Sequence, residues 1–115
     1  MKTKKIIPTE ADEQKVFVQW LELMGYKFSR IAQETYTPYW GQKIKNKQLG
    51  VRRGLPDLLI IVNNTLVFIE MKRKSGGAIS EEQQGWCDAL NHCDGVTALV
   101  CRGADEAIEF IKNST

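Results

Sequence analysis

Three side chains in one short stretch, GLPDLLIIVNNTLVFIEMKRKSGG at residues 54–77, are of a type and spacing that can do chemistry: Asp57, Glu70 and Lys72. Two aliphatic runs, Leu58 to Val62 and Leu66 to Ile69, flank Asn63-Asn64. A two-residue Asn-Asn turn would join them as a β-hairpin in which Val62 faces Thr65, Ile61 faces Leu66 and Ile60 faces Val67. Asp57 then falls opposite Glu70. A four-residue loop keeps this pairing, whereas an odd-length loop breaks it. Opposed residues on antiparallel strands have Cβ atoms about 4.5–5.5 Å apart, and like charges placed there are destabilising. Two carboxylates in that register require a proton or a cation between them. Side chains alternate along a strand, so Phe68, Glu70 and Lys72 share one face, with Glu70 and Lys72 roughly 7 Å apart, while Val67, Ile69 and Met71 take the other.

A third acid is available from the segment that follows Pro8. Thr9 is placed to cap a helix with Asp12 three residues on, and Phe17, Trp20, Leu21 and Met24 recur at helical spacing before Gly25. Glu13 precedes Phe17 by four residues, so its carboxylate is expected to point inward, and Glu10, one turn earlier, is the alternative for the same role. Carboxylates without a histidine or thiolate beside them form a hard oxygen site that favours Mg²⁺ or Mn²⁺ over Zn²⁺. An ion there would activate water and polarise a phosphoryl oxygen, and a neighbouring lysine would orient the nucleophile or offset transition-state charge. Each signal alone has an ordinary explanation. Glu-x-Lys on a strand is commonly an ion pair, Pro-Asp a turn, and Glu13 a first-turn acid favoured by the helix dipole.

Gly54, Leu55, Pro56 and Asp57, followed by Glu70, Met71 and Lys72, resemble the PD-(D/E)XK nuclease signature. Glu13-Gln14 ahead of it and Ser80-Glu-Glu-Gln83-Gln-Gly-Trp86 after it are similar to its virus-type replication-repair (VRR-NUC) branch. The resemblance covers residues 10 to about 103. It implies an α/β fold, a restriction-endonuclease-like core with a small mixed sheet flanked by helices. It further implies that Asp57, Glu70 and the main-chain carbonyl of Met71 bind metal, that Glu13 completes the shell directly or through water, that Lys72 is the catalytic lysine and that Gln83 supports the site. Compact standalone relatives resemble Holliday-junction resolvases acting as homodimers, and fused ones cut flaps. Leu55 and Met71 depart from the Val or Ile common at these positions, without altering the chemistry, since position 71 acts through its carbonyl.

The elements that would position these residues follow in the order α, β, β-hairpin, α, β, α. Residues 26–36 suggest a strand and then a turn near Pro38, and residues 37–54 read as a long loop. Ser80 to about His92 reads as a helix, with Ser80 and Gln83 spaced as a capping box that by itself explains Gln83. A strand from Val96 to Cys101 and a helix from Ala104 to Lys112 complete the chain. The loop holds Lys43, Lys45, Lys47, Arg52 and Arg53, with Tyr36, Tyr39 and Trp40 beside them, and Arg73 and Lys74 follow the second hairpin strand. Such a set suits phosphate contacts and stacking on unpaired bases, against the plainer reading of a solvated face with Trp40 as an anchor. Lys2, Lys4 and Lys5 fit a solvated, flexible tip over residues 1–8.

Length and composition bound the alternatives. The 115 residues, 43% hydrophobic, suffice for one domain and one core. The net charge of +2 conceals an asymmetry, since residues 1–75 carry +7 and residues 76–115 carry −5, which suits a polyanion held on one side. No apolar run approaches the roughly 20 residues that span a bilayer, and the expectation is a soluble cytoplasmic protein with no membrane partner and no small-molecule cofactor. Cys87, Cys93 and Cys101 are odd in number. With His92 they lack a zinc-site spacing and are expected to be free thiols, Cys87 and Cys101 in the core. The reading favoured by the whole pattern is a Mg²⁺- or Mn²⁺-dependent, structure-specific DNA endonuclease, resolvase-like and homodimeric. The alternatives are a flap-type repair nuclease, a non-catalytic module that binds branched DNA, and a protein-interaction module docking through its acidic C-terminal half.

Overall fold

A computed structural model describes residues 6–31 and 38–115. The expected contributions of Tyr36 and of Lys2, Lys4 and Lys5 lie outside the described residues. The order is α1 (Glu10–Met24), β1 (Lys27–Arg30), α2 (Trp40–Gln48), β2 (Leu58–Val62), β3 (Thr65–Lys72), α3 (Glu81–Asn91), β4 (Val96–Arg102) and α4 (Ala104–Asn113). The strands form one mixed sheet in the order β1-β2-β3-β4, antiparallel except for the parallel pair β3 and β4. Among the described residues no helix is long and apolar enough to cross a membrane.

Local chemistry accounts for most of these boundaries. Asn63 and Asn64 adopt positive φ of 48° and 64°, the conformation that a tight hairpin turn demands and that Asn tolerates. Val62 therefore pairs with Thr65 and Leu58 with Ile69, the register expected from the turn. Reciprocal capping boxes start two helices: Thr9 with Asp12 at α1 and Ser80 with Gln83 at α3. Gly25, with φ of 78°, ends α1 in the left-handed region.

Alternation splits β2 and β3 between two layers. Leu58, Ile60, Val62, Val67, Ile69 and Met71 turn to one side and join Phe17 and Leu21 of α1 with Ala104, Ala107 and Ile111 of α4 in a single buried cluster that also holds Cys101. Met24, expected on the apolar stripe of α1, is exposed instead, at the C-terminal end of the helix. On the other side α3 packs against β4 and buries Cys87. The outer edge of β4 is partly occupied by Asn91, whose side-chain amide donates to the Ala98 carbonyl at 2.8 Å and accepts from the Ala98 N–H at 2.7 Å.

Residues 40–48, expected as loop, form α2. The helix buries no residue, so it has no apolar stripe to announce it. Its support is local: the Gln42 amide donates to Asn46 at 2.6 Å, and Lys45 and Lys47 lie in the last turn, where cations suit the helix dipole.

The loop after α2 is clamped onto α3 at Gly54, whose φ is +98°. A Cβ there would lie 2.5 Å from the Glu82 carbonyl carbon and 2.8 Å from the Gln83 nitrogen. Gly54→Ala should therefore destabilise the fold by about 2–4 kcal/mol, combining positive-φ strain with overpacking. A thermal melt checks this, and an unchanged midpoint would mean that loop and helix do not meet so closely.

Candidate metal centre and nucleic-acid interface

The hairpin ladder ends at the Leu58–Ile69 pair, and Asp57 and Glu70 occupy the next register, just past the last hydrogen-bonded rung. Asp57 is held from the other side, where its carbonyl accepts from the Ile31 N–H at 2.7 Å. Glu70 is 4% exposed. Burial, then a hydrogen bond shared with Asp57 and the charge of Asp57, pushes the Glu70 carboxyl up to about 8; Lys72 opposes the rise and Glu10 adds to it. The opposed register and the burial of Glu70 thus act together to raise its carboxyl, as two poorly solvated like charges must.

Of the two helix acids, the structure brings Glu10 to this point. One carboxylate oxygen from each of Glu10, Asp57 and Glu70 lies within 4.8 Å of the others. Glu13 is buried, as its place on the apolar face of α1 requires, but its carboxylate is directed elsewhere: Oε1 accepts from the Ala104 N–H at 3.1 Å. Ala104 opens α4 after Gly103, a residue without a side-chain cap, so Glu13 of α1 caps α4 across the fold. Its Oε2 is buried without a hydrogen-bond partner.

Three carboxylates that converge on one point, one of them buried and with its pKa raised, fit a hard divalent cation. The Met71 side chain is fully buried in the core, which leaves only its main chain for the acidic side. Lys72 continues β3, pairs with Arg102 of β4 and is half-buried. Gln83 serves its cap, with Oε1 accepting from the Ser80 N–H at 3.0 Å, and also lines a small cavity of about 170 Å³ with Ile31, Arg52, Gly54, Leu55, Asp57 and Glu70. Its amide NH₂ is the part left to serve the site. Arg52 in this cavity is a site residue that the sequence suggested only for DNA contact; its position after a glycine turn, five residues before Asp57, was the available signal.

The basic residues divide. Lys43, Lys47, Arg52 and Arg53 line one cavity of about 340 Å³ together with Asn46 and Val51. Lys43 and Lys47 are one helical turn apart and share a face, whereas Lys45 projects from the opposite side of α2. Tyr39 and Trp40 are 73% and 74% exposed. Lys74 lies 3.6 Å from Asp105 in an exposed ion pair, and Arg73 is exposed nearby.

A mixed sheet between helical layers, with an acid trio at the mouth of a hairpin and a lysine two residues on, defines an α/β domain of the nuclease type. A family model of the VRR-NUC domain matches residues 4–105, and the chain belongs to that family. Membership implies a nuclease of the PD-(D/E)XK type with DNA as its substrate, a group that generally uses divalent metal. A solved structure described as a VRR_NUC domain protein superposes with a TM-score of 0.75 at 23% identity, covering 95% of this chain and 89% of that one, and it carries the fold. No curated protein gives a match.

Two outcomes follow from this geometry. Glu10→Ala should weaken Mn²⁺ binding, measured by calorimetry without DNA, by about tenfold or more, while Glu13→Gln, which keeps an oxygen for Ala104, should bind Mn²⁺ as wild type does; the reverse pattern would restore Glu13 as the ligand. The second concerns pH. A folded pKa raised to about 8 from 4.5 favours the folded state fully below the lower value and loses that advantage as pH rises through the upper one. In EDTA the melting midpoint should therefore fall between about pH 4.5 and 8 more steeply for wild type than for Glu70→Gln. Equal slopes would place the titration elsewhere.

Proposed function

We propose that the protein is a Mg²⁺- or Mn²⁺-dependent, structure-specific DNA endonuclease, resolvase-like and active as a homodimer. The observation that carries the reading is the convergence of Glu10, Asp57 and Glu70 on one point beside Lys72. In this reading the trio holds the ion, with the Met71 carbonyl as a further donor. The ion supplies a more acidic water and neutralises charge on the phosphoryl oxygens.

The chain's own groups account for the rest. Glu70 and Asp57, opposed at close range, would both be ionised as ligands of such an ion, whose charge would offset their mutual repulsion. The Lys72 ammonium orients the attacking water and offsets the charge that grows on the phosphate. Arg52, which shares the cavity of Asp57 and Glu70, holds the scissile strand by an adjacent phosphate, and Gln83 borders the same space. Lys43, Lys47 and Arg53 extend the cationic surface away from the acids, where phosphate contacts anchor the duplex without reading its sequence. Tyr39 and Trp40 flank that surface, and Arg73, Lys74 and Lys45 contribute at longer range.

Two features support the dimer. One small domain has little reach with which to hold a branched DNA and two cleavage points. The cross-strand pair Ile61 and Leu66 at the hairpin end is also exposed, at 45% and 38%, on the side away from the main core, a surface suited to a second copy.

Labelled four-way junction, flap and linear duplex, incubated in Mg²⁺, Mn²⁺ and EDTA, test the proposal. Paired symmetrical cuts in the junction that need metal and vanish in Glu70→Ala are expected, with DNA binding by the variant retained. Cuts in the flap alone would make it a flap-type repair nuclease. Wild-type cutting by Glu70→Ala would remove the metal-site argument, and binding without any cutting would leave a non-catalytic branched-DNA module.

A further inference from the structure

Beside the basic cavity lies a second, open groove of about 470 Å³, lined by Arg52, Arg53, Glu82, Gly85, Trp86 and Ala89, whose wall is nearly all apolar. Its floor is one face of α3. Trp86 is fixed there, its indole N–H donating to the Arg53 carbonyl at 2.9 Å, so the ring borders the groove in one orientation. Gly85 stands in the interior of α3, where glycine is the poorest helix former apart from proline. No neighbour explains it, since a Cβ at Gly85 would meet nothing within 4 Å. The missing side chain leaves this stretch of the α3 face open beside Trp86.

Charge identifies the class of occupant. Arg52 and Arg53 are exposed at the rim and form no ion pair among the described residues. Arg52 also lines the basic cavity and the cavity of Asp57 and Glu70, so a strand lying on Arg52 is continuous with the acid trio. Glu82 also lines the groove. It repels phosphate from the floor but can accept a hydrogen bond from an exocyclic amine of a base. Two exposed cations, one carboxylate acceptor and an apolar floor with a hydrogen-bonded tryptophan suit a nucleotide whose phosphate meets the arginines and whose base takes the floor.

We infer that this groove binds an unpaired nucleobase of the DNA substrate, with Trp86, Gly85 and Ala89 as the platform and Arg52 and Arg53 on the flanking phosphates. The inference rests on the nuclease reading and refines its substrate: the protein grips DNA that offers an unpaired arm or a splayed branch beside the cleavage point. A fully paired duplex has no free base face to offer.

The test uses the full-length protein in EDTA, so that binding is read without cleavage. Its probes are a blunt duplex and the same duplex bearing a short unpaired arm with 2-aminopurine at the branch. Wild type should bind the armed duplex about tenfold more tightly, the scale of one stacked base, and change the probe's fluorescence. Gly85→Gln, whose Cβ would meet no atom within 4 Å, should melt at a higher temperature, lose the preference and the fluorescence change, and bind blunt duplex as before. Retained preference in Gly85→Gln would overturn the inference, as would equal loss on both probes. A change from dimer to monomer by sizing in Gly85→Gln would assign the groove to a second copy and equally overturn it. Separate cleavage assays in Mn²⁺ distinguish the two failures: cutting without arm preference removes the groove alone, and arm preference without cutting removes the nuclease reading.

Discussion

Two carboxylates held face to face past the last rung of a hairpin constrain everything around them. Asp57 and Glu70 are brought together by backbone register, not by affinity for one another, and the β2–β3 ladder is itself set by the Asn63-Asn64 turn. Apart, each would be solvated and ionised. Together, with Glu70 buried beside Asp57, the Glu70 carboxyl is pushed well above the usual carboxylate range. Such an arrangement costs stability in the absence of a cation, and proteins retain costs of this kind where function requires them.

The helical layers divide their labour around that constraint. On α1, two acids three residues apart have different tasks: Glu10 joins the acidic pair, and Glu13 ties the helix to the start of α4. On the opposite layer Gly54 allows the loop from α2 to touch the first turn of α3, which places Arg52 and Gln83 in the same cavity as Asp57 and Glu70. The site is therefore assembled from both sides of the sheet, and cations reach it along one continuous path from Lys43 and Lys47 of α2.

Much of this was legible in the residues because it is encoded locally. The Asn-Asn turn gave the pairing partners of β2 and β3, the period of two put Glu70 and Lys72 on one face, and the Thr9–Asp12 and Ser80–Gln83 spacings marked where helices begin. What escaped was set by contacts between distant residues or by none at all. Glu10 and Glu13 lie one turn apart on nearly the same face, and the contact that separates their roles joins residues 91 apart in sequence, beyond the reach of periodicity. The helix α2 buries nothing, so its Trp40, Ile44, Lys43 and Lys47 pattern carries no hydrophobic stripe and reads as a loop.

The most direct test of the account is an anomalous diffraction map from crystals equilibrated with Mn²⁺. The account predicts a peak bounded by carboxylate oxygens of Glu10, Asp57 and Glu70 and by the Met71 carbonyl, with Glu13 still on the Ala104 N–H. A peak that recruits Glu13 in place of Glu10, or no peak at the trio while Mn²⁺ occupies other sites, would contradict it.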